Sequence, residues 1–231
     1  MTAPPKIRAI LFDAGGTLIH VDGERVCRAA EIAYDAETFT RAEQAAVNDV
    51  RAWILAHPES SDRERLPLFL DAILRRLGQE SAAARLAAAR RVAAEHCRAN
   101  LWSRTADGAH DALEGLRERG YRLGVISNAD GRVRGLLEDA GVAPLLEFIL
   151  DSAEIGFEKP DPRIFMAASS RLSLPPGGCA YVGDIYEIDI LGARAAGFYP
   201  ILIGDCPAEE PVVRIGALEE LLGLFAGVVN E

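Results

Sequence analysis

The sequence predicts an α/β fold: a doubly wound parallel sheet whose chain is interrupted by an inserted α-helical domain. Three observations carry that expectation. Short β-rich apolar runs alternate with helical stretches over residues 105–203, a long helix-only segment separates them from the first run, and three runs stop on a polar residue.

Residues 7–12 form a continuous apolar run, as a strand buried on both faces requires. It ends at Asp13, and Gly15 with Gly16 mark a tight irregular turn. Between Val21 and Arg104 strand signals vanish, and Ala, Arg, Glu and Leu dominate. Thr40 and Glu43 have the spacing of a capping box before a helix that runs to His57 and stops at Pro58. Residues 66–77 are expected to form another helix, with Pro67 in its first turn and Gly78 as its stop, and residues 81–100 an alanine-rich one. The segment reads as an inserted bundle of four helices.

Alternation follows. Helices are expected at 107–119, 131–140, 162–172 and 187–196, and strands at 121–126, 147–150, 179–182 and 199–203. Gly120 and Gly197 close two of these helices. Residues 207–231 are expected to hold one closing helix. The organisation is thus a core of residues 1–20 and 105–231, with a helical cap of residues 21–104.

A chain of 231 residues, 49% apolar and 26% charged, can build such a core with a smaller inserted domain. Its formal charge of −10 argues against a nucleic-acid partner, which needs a basic surface. A small phosphorylated substrate remains compatible, because a cation and one lysine reverse the field inside a cleft. No apolar run approaches the ~20 residues that span a bilayer, so no membrane partner is expected. The opening residues read as the first strand rather than as an export signal. Cys27, Cys97, Cys179 and Cys206 are scattered, so neither a zinc site nor a disulfide framework is expected, and a reducing cytoplasm is the default location.

In an open parallel sheet, ligands bind beyond the carboxyl ends of the strands. Asp13, Ser127 and Asp184 each terminate a predicted strand, so the backbone would gather them at one edge. An aspartate carboxylate can attack a phosphoryl group and form an aspartyl-phosphate. Repulsion between two anions opposes that attack, and a magnesium ion held by one or two carboxylates relieves it. Asp13 and Asp184 supply the pair, and Asp189 can hold a metal-bound water or orient the other ligands. Lys159 offers a positive charge for the transferring oxygens, and the Ser127 hydroxyl with nearby amides can complete the cradle. Each residue alone has an ordinary reading as a cap, turn or solvated charge. Four in order at sheet edges do not.

These residues carry a family resemblance. Asp13-Ala-Gly-Gly-Thr17-Leu18 resembles the first motif, DxDGTL, of the haloacid dehalogenase (HAD) superfamily. Ser127-Asn128 after a strand is similar to the second, Glu158-Lys159-Pro160-Asp161-Pro162 to the third, and Gly183-Asp184 through Asp189 to Gly197 to the fourth. The similarity covers residues 7–203 and implies a Rossmann-like HAD core, with a first-type helical cap inserted after the first motif. It also implies a magnesium-dependent hydrolase, a phosphatase acting on a small phosphorylated metabolite. Asp13 would be nucleophile and metal ligand, with the Gly15 backbone carbonyl and Asp184 as further ligands. Thr17, Ser127, Asn128 and Lys159 would position phosphate.

One position departs from the pattern. Gly15 stands where phosphatases of this superfamily carry a second aspartate, which protonates the leaving alcohol and later activates water. Such general acid–base help is typically worth about 10²–10⁴-fold. A slow phosphatase using another acid follows, with Glu187, Asp22 or His20 as candidates; the alternatives are a 2-haloacid dehalogenase, whose halide needs no proton, and a non-catalytic phosphate- or partner-binding module. Metal-free dehalogenases of the superfamily lack the counterpart of Asp184, which favours phosphoryl chemistry here. Phosphonate cleavage is excluded, because residues 21–104 contain no lysine for a Schiff base. Within the insert, Arg25, Arg28 and Tyr34 could reach a substrate, although a solvated helix face is their ordinary role, and Trp53, Phe69 and Trp102 read as packing.

Overall fold

A computed structural model describes residues 6–227. The chain divides into two compact units, residues 1–20 with 104–231, and residues 21–103. Among the described residues, eight strands and ten α-helices follow one another: β1 (Ala9–Phe12), β2 (Ile19–Val21), α1 (Gly23–Ala30), α2 (Ala36–Ala56), α3 (Asp62–Arg76), α4 (Ala82–Arg98), β3 (Trp102–Thr105), α5 (Ala109–Glu118), β4 (Arg122–Ser127), α6 (Val133–Asp139), β5 (Phe148–Asp151), α7 (Ser152–Ile155), α8 (Pro162–Leu172), β6 (Cys179–Gly183), α9 (Leu191–Ala195), β7 (Tyr199–Ile203), β8 (Val213–Ile215) and α10 (Glu220–Leu224).

In the first unit the sheet order is β5-β4-β1-β6-β7-β8, and every neighbouring pair is parallel. This is a doubly wound Rossmann-like sheet in which winding reverses between β1 and β6, the place where such folds bind ligands. Register fixes what stands there. Phe12 pairs with Val125 on one side and Val182 on the other, so Asp13 lies level with Ile126 and Gly183, with Ser127 and Asp184 one residue beyond. All four β1 residues are completely buried. Ala9 and Leu11 join Ile126, Leu150 and Tyr181 against α8 and α9, while the alternate residues Ile10 and Phe12 are equally buried.

The helical unit closes its own core with Val26, Cys27, Phe39, Ala46, Leu70, Ile73, Leu74, Ala88, Val92 and Leu101. Its helix starts differ from those expected. α2 begins at Ala36 because the Asp35 carboxylate accepts from the Thr38 amide; Thr40 lies inside the helix, with its hydroxyl donating to the Ala36 carbonyl. The capping box is instead Ser61–Glu64, where the Glu64 carboxylate accepts from the Ser61 amide and hydroxyl at 2.8 Å each. α3 therefore starts before Pro67, and the proline sits within the helix rather than in its first turn.

Three short strands also depart from expectation. β2 and β3 pair as a two-stranded ribbon within or beside the stretch read as purely helical. β8 occupies the sheet edge where only a closing helix was expected; that helix is the five-residue α10, and residues 228–231 lie outside the described range. Strands of three or four residues carry too few positions for a period of two to register. The expected helix at 187–196 divides into a π turn, Tyr186–Ile190, and α9. Among the described residues, no helix is long and apolar enough to cross a membrane.

The corrected caps yield a stability test. Ser61→Ala is expected to lower unfolding free energy by roughly 0.5–2 kcal/mol. Thr40→Ala should stay within about 0.5 kcal/mol. Denaturant melts of both variants would reverse the assignment if Thr40 proved the costlier loss.

Candidate active site

Asp13 leaves β1 with its amide donating to the Val182 carbonyl at 2.8 Å, so the β1–β6 pairing carries the residue to the sheet edge. One carboxylate oxygen, Oδ1, accepts from the Ala14 amide and the Lys159 ammonium, both at 2.7 Å. Two donors on one oxygen fix the plane of the group. Burial pushes the Asp13 carboxyl up to about 7, against the lowering influence of Lys159.

The turn after Asp13 is closed by the backbone. The Ile19 amide donates to the Ala14 carbonyl and the Gly16 amide to the Ile19 carbonyl, forming a bridge that uses neither polar group of Gly15. Gly16 has φ +75°, and a Cβ there would fall 2.2 Å from Asp184 Oδ2. The loop therefore passes against Asp184 only because position 16 lacks a side chain. Thr17 is buried, and its hydroxyl has no hydrogen-bond partner.

Lys159 is 2% exposed. Its ammonium donates to Asp13 Oδ1 and Asp189 Oδ1 at 2.7 Å and to the Tyr181 hydroxyl at 2.8 Å. Its ammonium form is favoured well beyond the usual range, because the charges of Asp13 and Asp189 outweigh desolvation. Asn128, expected to contact phosphate, has a different task here. Its side-chain amide donates to the Lys159 carbonyl at 3.0 Å and accepts from the Lys159 amide at 2.7 Å, so it holds the lysine backbone. Ser127 is buried at the end of β4, in register with Asp151. The Asp151 carboxylate accepts from the Gly131 and Ala153 amides and so pins the loop that follows Ser127.

Asp189 uses both oxygens: Oδ1 faces Lys159, and Oδ2 accepts from the Ile185 amide at 2.9 Å. The π turn places it there, and Gly183 makes room, since a Cβ at 183 would lie 2.4 Å from Asp189 Cγ. Asp184 Oδ1 is buried and has no hydrogen-bond partner. Desolvation, then Asp189 and Asp13, push the Asp184 carboxyl well above the usual carboxylate range.

Asp13, Asp184 and Asp189 each bring an oxygen within 4.8 Å of the others. Two of the three carboxylates share a single ammonium, and the third, Asp184, keeps a buried oxygen without a hydrogen-bond partner. A divalent cation fits that donor set, all hard oxygen, better than any arrangement of protons. The loop carrying Gly15 lies against Asp184, and the Gly15 carbonyl is outside the bridge bonds.

The other candidates fall elsewhere. The Asp22 carboxylate caps α1 by accepting from the Arg25 amide. His20 is half-buried, and burial with Arg104 pushes its imidazole down, which keeps it neutral. Glu187 is buried within the π turn. In the helical unit, Arg25 is committed to the carbonyls of Ala99 and Asn100, to Glu95 and to Ser103. Arg28 is exposed and Tyr34 nearly half exposed. Trp53 stacks on His57, and Phe69 lies beside Trp102.

Comparison with known proteins adds family evidence. A family described as haloacid dehalogenase-like hydrolase matches residues 7–197. The human haloacid dehalogenase-like hydrolase domain-containing protein 3 is 44% identical over 108 residues, 47% of this chain and 43% of that protein, so the chain spans less than half of that relative's length. A glyceraldehyde 3-phosphate phosphatase from Methanopyrus kandleri is 31% identical over 85% of this chain and 84% of its own. Among solved structures, a dehalogenase with an intermediate complex superposes with a TM-score of 0.69 at 24% identity, covering 98% of this chain and 99% of that one. That likeness speaks to the fold alone.

The acidic cluster predicts a thermal response. Magnesium at about a hundredfold excess over its dissociation constant should stabilise the protein by about 2.7 kcal/mol, whereas sodium at equal ionic strength should not. Asp184→Asn should remove that response and raise the melting temperature of the metal-free protein by relieving repulsion. A magnesium shift that survives Asp184→Asn would place the cation elsewhere.

Proposed function

The chain belongs to the haloacid dehalogenase-like hydrolases, and from that membership we propose that it is a magnesium-dependent phosphatase in which Asp13 accepts the phosphoryl group of a small phosphate monoester. The observation that supports this reading best is the charge arrangement at the β1–β6 edge: three converging carboxylates, one oxygen of them buried without a partner, around a single buried lysine. The name of the Methanopyrus relative, matched over most of both chains, points the same way.

Asp13, Asp184 and the Gly15 carbonyl would hold the magnesium ion, which when bound supplies positive charge to the phosphoryl oxygens and offsets the repulsion between anions. The chain's own groups do the rest. Asp13 is held by two donors on Oδ1, so the carboxylate keeps its orientation without rearrangement during attack. Lys159 opposes protonation of that buried carboxylate and adds a fixed positive charge beside it. The partnerless Thr17 hydroxyl and the Ser127 hydroxyl are placed to donate to phosphate. Asp189 and Asn128 act through Lys159, one on its ammonium and one on its backbone. Attack by the Asp13 carboxylate on phosphorus would break the ester P–O bond, with the alcohol leaving on a proton taken from solvent; water would then attack the aspartyl-phosphate, releasing inorganic phosphate and restoring the Asp13 carboxylate.

No aspartate at position 15 serves the leaving group, so turnover of alkyl phosphates is slow. The dehalogenase reading is disfavoured by Asp184: a carboxylate cluster facing an organic acid repels it unless a cation is bound. The helical unit of residues 21–103 acts as the cap that selects the substrate.

Magnesium-dependent phosphate release across a panel of monoesters and 2-haloacids tests the proposal. Asp13→Asn should lower release by roughly three orders of magnitude or more. Metal-independent halide release would overturn it, as would folded protein silent on both classes. Gly15→Asp should accelerate alkyl-phosphate turnover by up to about 10²-fold. An unchanged rate would mean that another group already delivers the proton.

A further inference from the structure

Tyr181 is a fully buried phenol whose place the phosphoryl chemistry above leaves unexplained. It sits in β6 among Cys179, Ala180 and Val182, and pairs with Leu11. A tyrosine in such a strand must find a partner for its hydroxyl. That partner could be any nearby carbonyl, and one is used: the hydroxyl donates to the Ile126 carbonyl of β4 at 2.9 Å. Its single proton goes across β1, the strand lying between β6 and β4, to this carbonyl in preference to Asp189 Oδ1, which lies farther off at 3.4 Å.

The consequence lies on the other side of the oxygen. With the proton turned to Ile126, the lone pairs face Lys159 Nζ at 2.8 Å. An ammonium has three hydrogens and no other polar capacity. Two go to Asp13 Oδ1 and Asp189 Oδ1, and the third goes to Tyr181. The phenol is itself immobile. Its ring packs edge-on against Phe165, centroids 5.0 Å apart at 80°, within the cluster that α8 and α9 build on the sheet.

We propose that Tyr181 is a positioning residue: its hydroxyl, anchored on the Ile126 carbonyl, is the neutral third acceptor that orients the Lys159 ammonium toward the Asp13 carboxylate. A neutral acceptor suits this place, since a third carboxylate on the lysine would draw charge away from Asp13. The anchor also ties the lysine to the strand that ends at Ser127, so the elements carrying Ser127 and Lys159 are held by one side chain. The catalytic part of this inference rests on the phosphatase reading; the lysine geometry does not.

The sequence contains two lysines, Lys6 and Lys159, so selective ¹⁵N-lysine labelling gives a side-chain spectrum with two ammonium signals. In the intact wild-type chain the Lys159 protons should exchange slowly and those of Lys6 fast. Tyr181→Phe should move the Lys159 nitrogen shift and speed its proton exchange by about tenfold or more, with a cooperative melt confirming the fold. It should also lower kcat for a phosphate monoester about tenfold while KM stays within twofold, because one charge-assisted hydrogen bond is lost without loss of substrate contact. An unprotected Lys159 in the wild type, or an unchanged Lys159 signal in Tyr181→Phe, would overturn the proposal; so would a loss confined to KM. If the wild type turns over no phosphate ester, the phosphatase reading falls and the ammonium spectrum still decides for or against Tyr181.

Discussion

Lys159, buried with its ammonium between Asp13 and Asp189, is the interaction on which the rest of this molecule turns. Ions in a protein interior are tolerated only when every donor and acceptor around them is satisfied. Breaking one partner typically costs roughly 3–5 kcal/mol. The surrounding structure meets that demand group by group. Asn128 fixes the lysine backbone, Tyr181 takes the third ammonium proton, and the Ile185 amide holds the far oxygen of Asp189. Gly183 clears the space that Asp189 fills. These residues come from strands distant in sequence, and they meet because the sheet order places β4 and β6 on either side of β1.

The same cluster explains why a single lysine is not enough. Asp184 stands apart from the ammonium network, with one buried oxygen unpartnered, and the charges of Asp189 and Asp13 make its ionised form unfavourable. On the proposed reading a divalent cation among these hard oxygens would offset that penalty. Lysine and cation would then be complementary: the lysine is permanent and holds the Asp13 carboxylate, while the cation would complete the balance when bound.

Much of this was legible in the sequence because the physics is local. Apolar runs ending on Asp13, Ser127 and Asp184 reveal strand ends, and glycines after helices mark where the chain must turn, so the parallel sheet and its polar edge follow. Structure was illegible where local signals compete or are too short. Thr40 and Glu43 imitate a capping box, but the Asp35 carboxylate one turn earlier captures the Thr38 amide first. Val213–Ile215 is too brief to show a period. Asn128 belongs to the second motif, yet only the fold shows that its amide meets the Lys159 backbone. Tyr181 offered a usable signal, a lone hydroxyl in an otherwise apolar strand, although nothing in the sequence names its partner.

Positions 15 and 16 show how adjacent glycines answer to different constraints. Gly16 is required by geometry: it carries the positive φ, and a side chain there would overlap the Asp184 carboxylate. Gly15 carries no positive φ, and the bridge around it uses the Ala14 carbonyl and the Gly16 amide rather than its own polar groups. Its backbone conformation is therefore one that other residues adopt readily. The positive φ that favours glycine at 16 is thus absent at 15, and the missing carboxylate bears on the proposed leaving-group chemistry. In the proposed reaction Asp13, Lys159 and the acidic cluster would serve phosphoryl transfer, whereas glycine at 15 offers no side chain to the leaving alcohol.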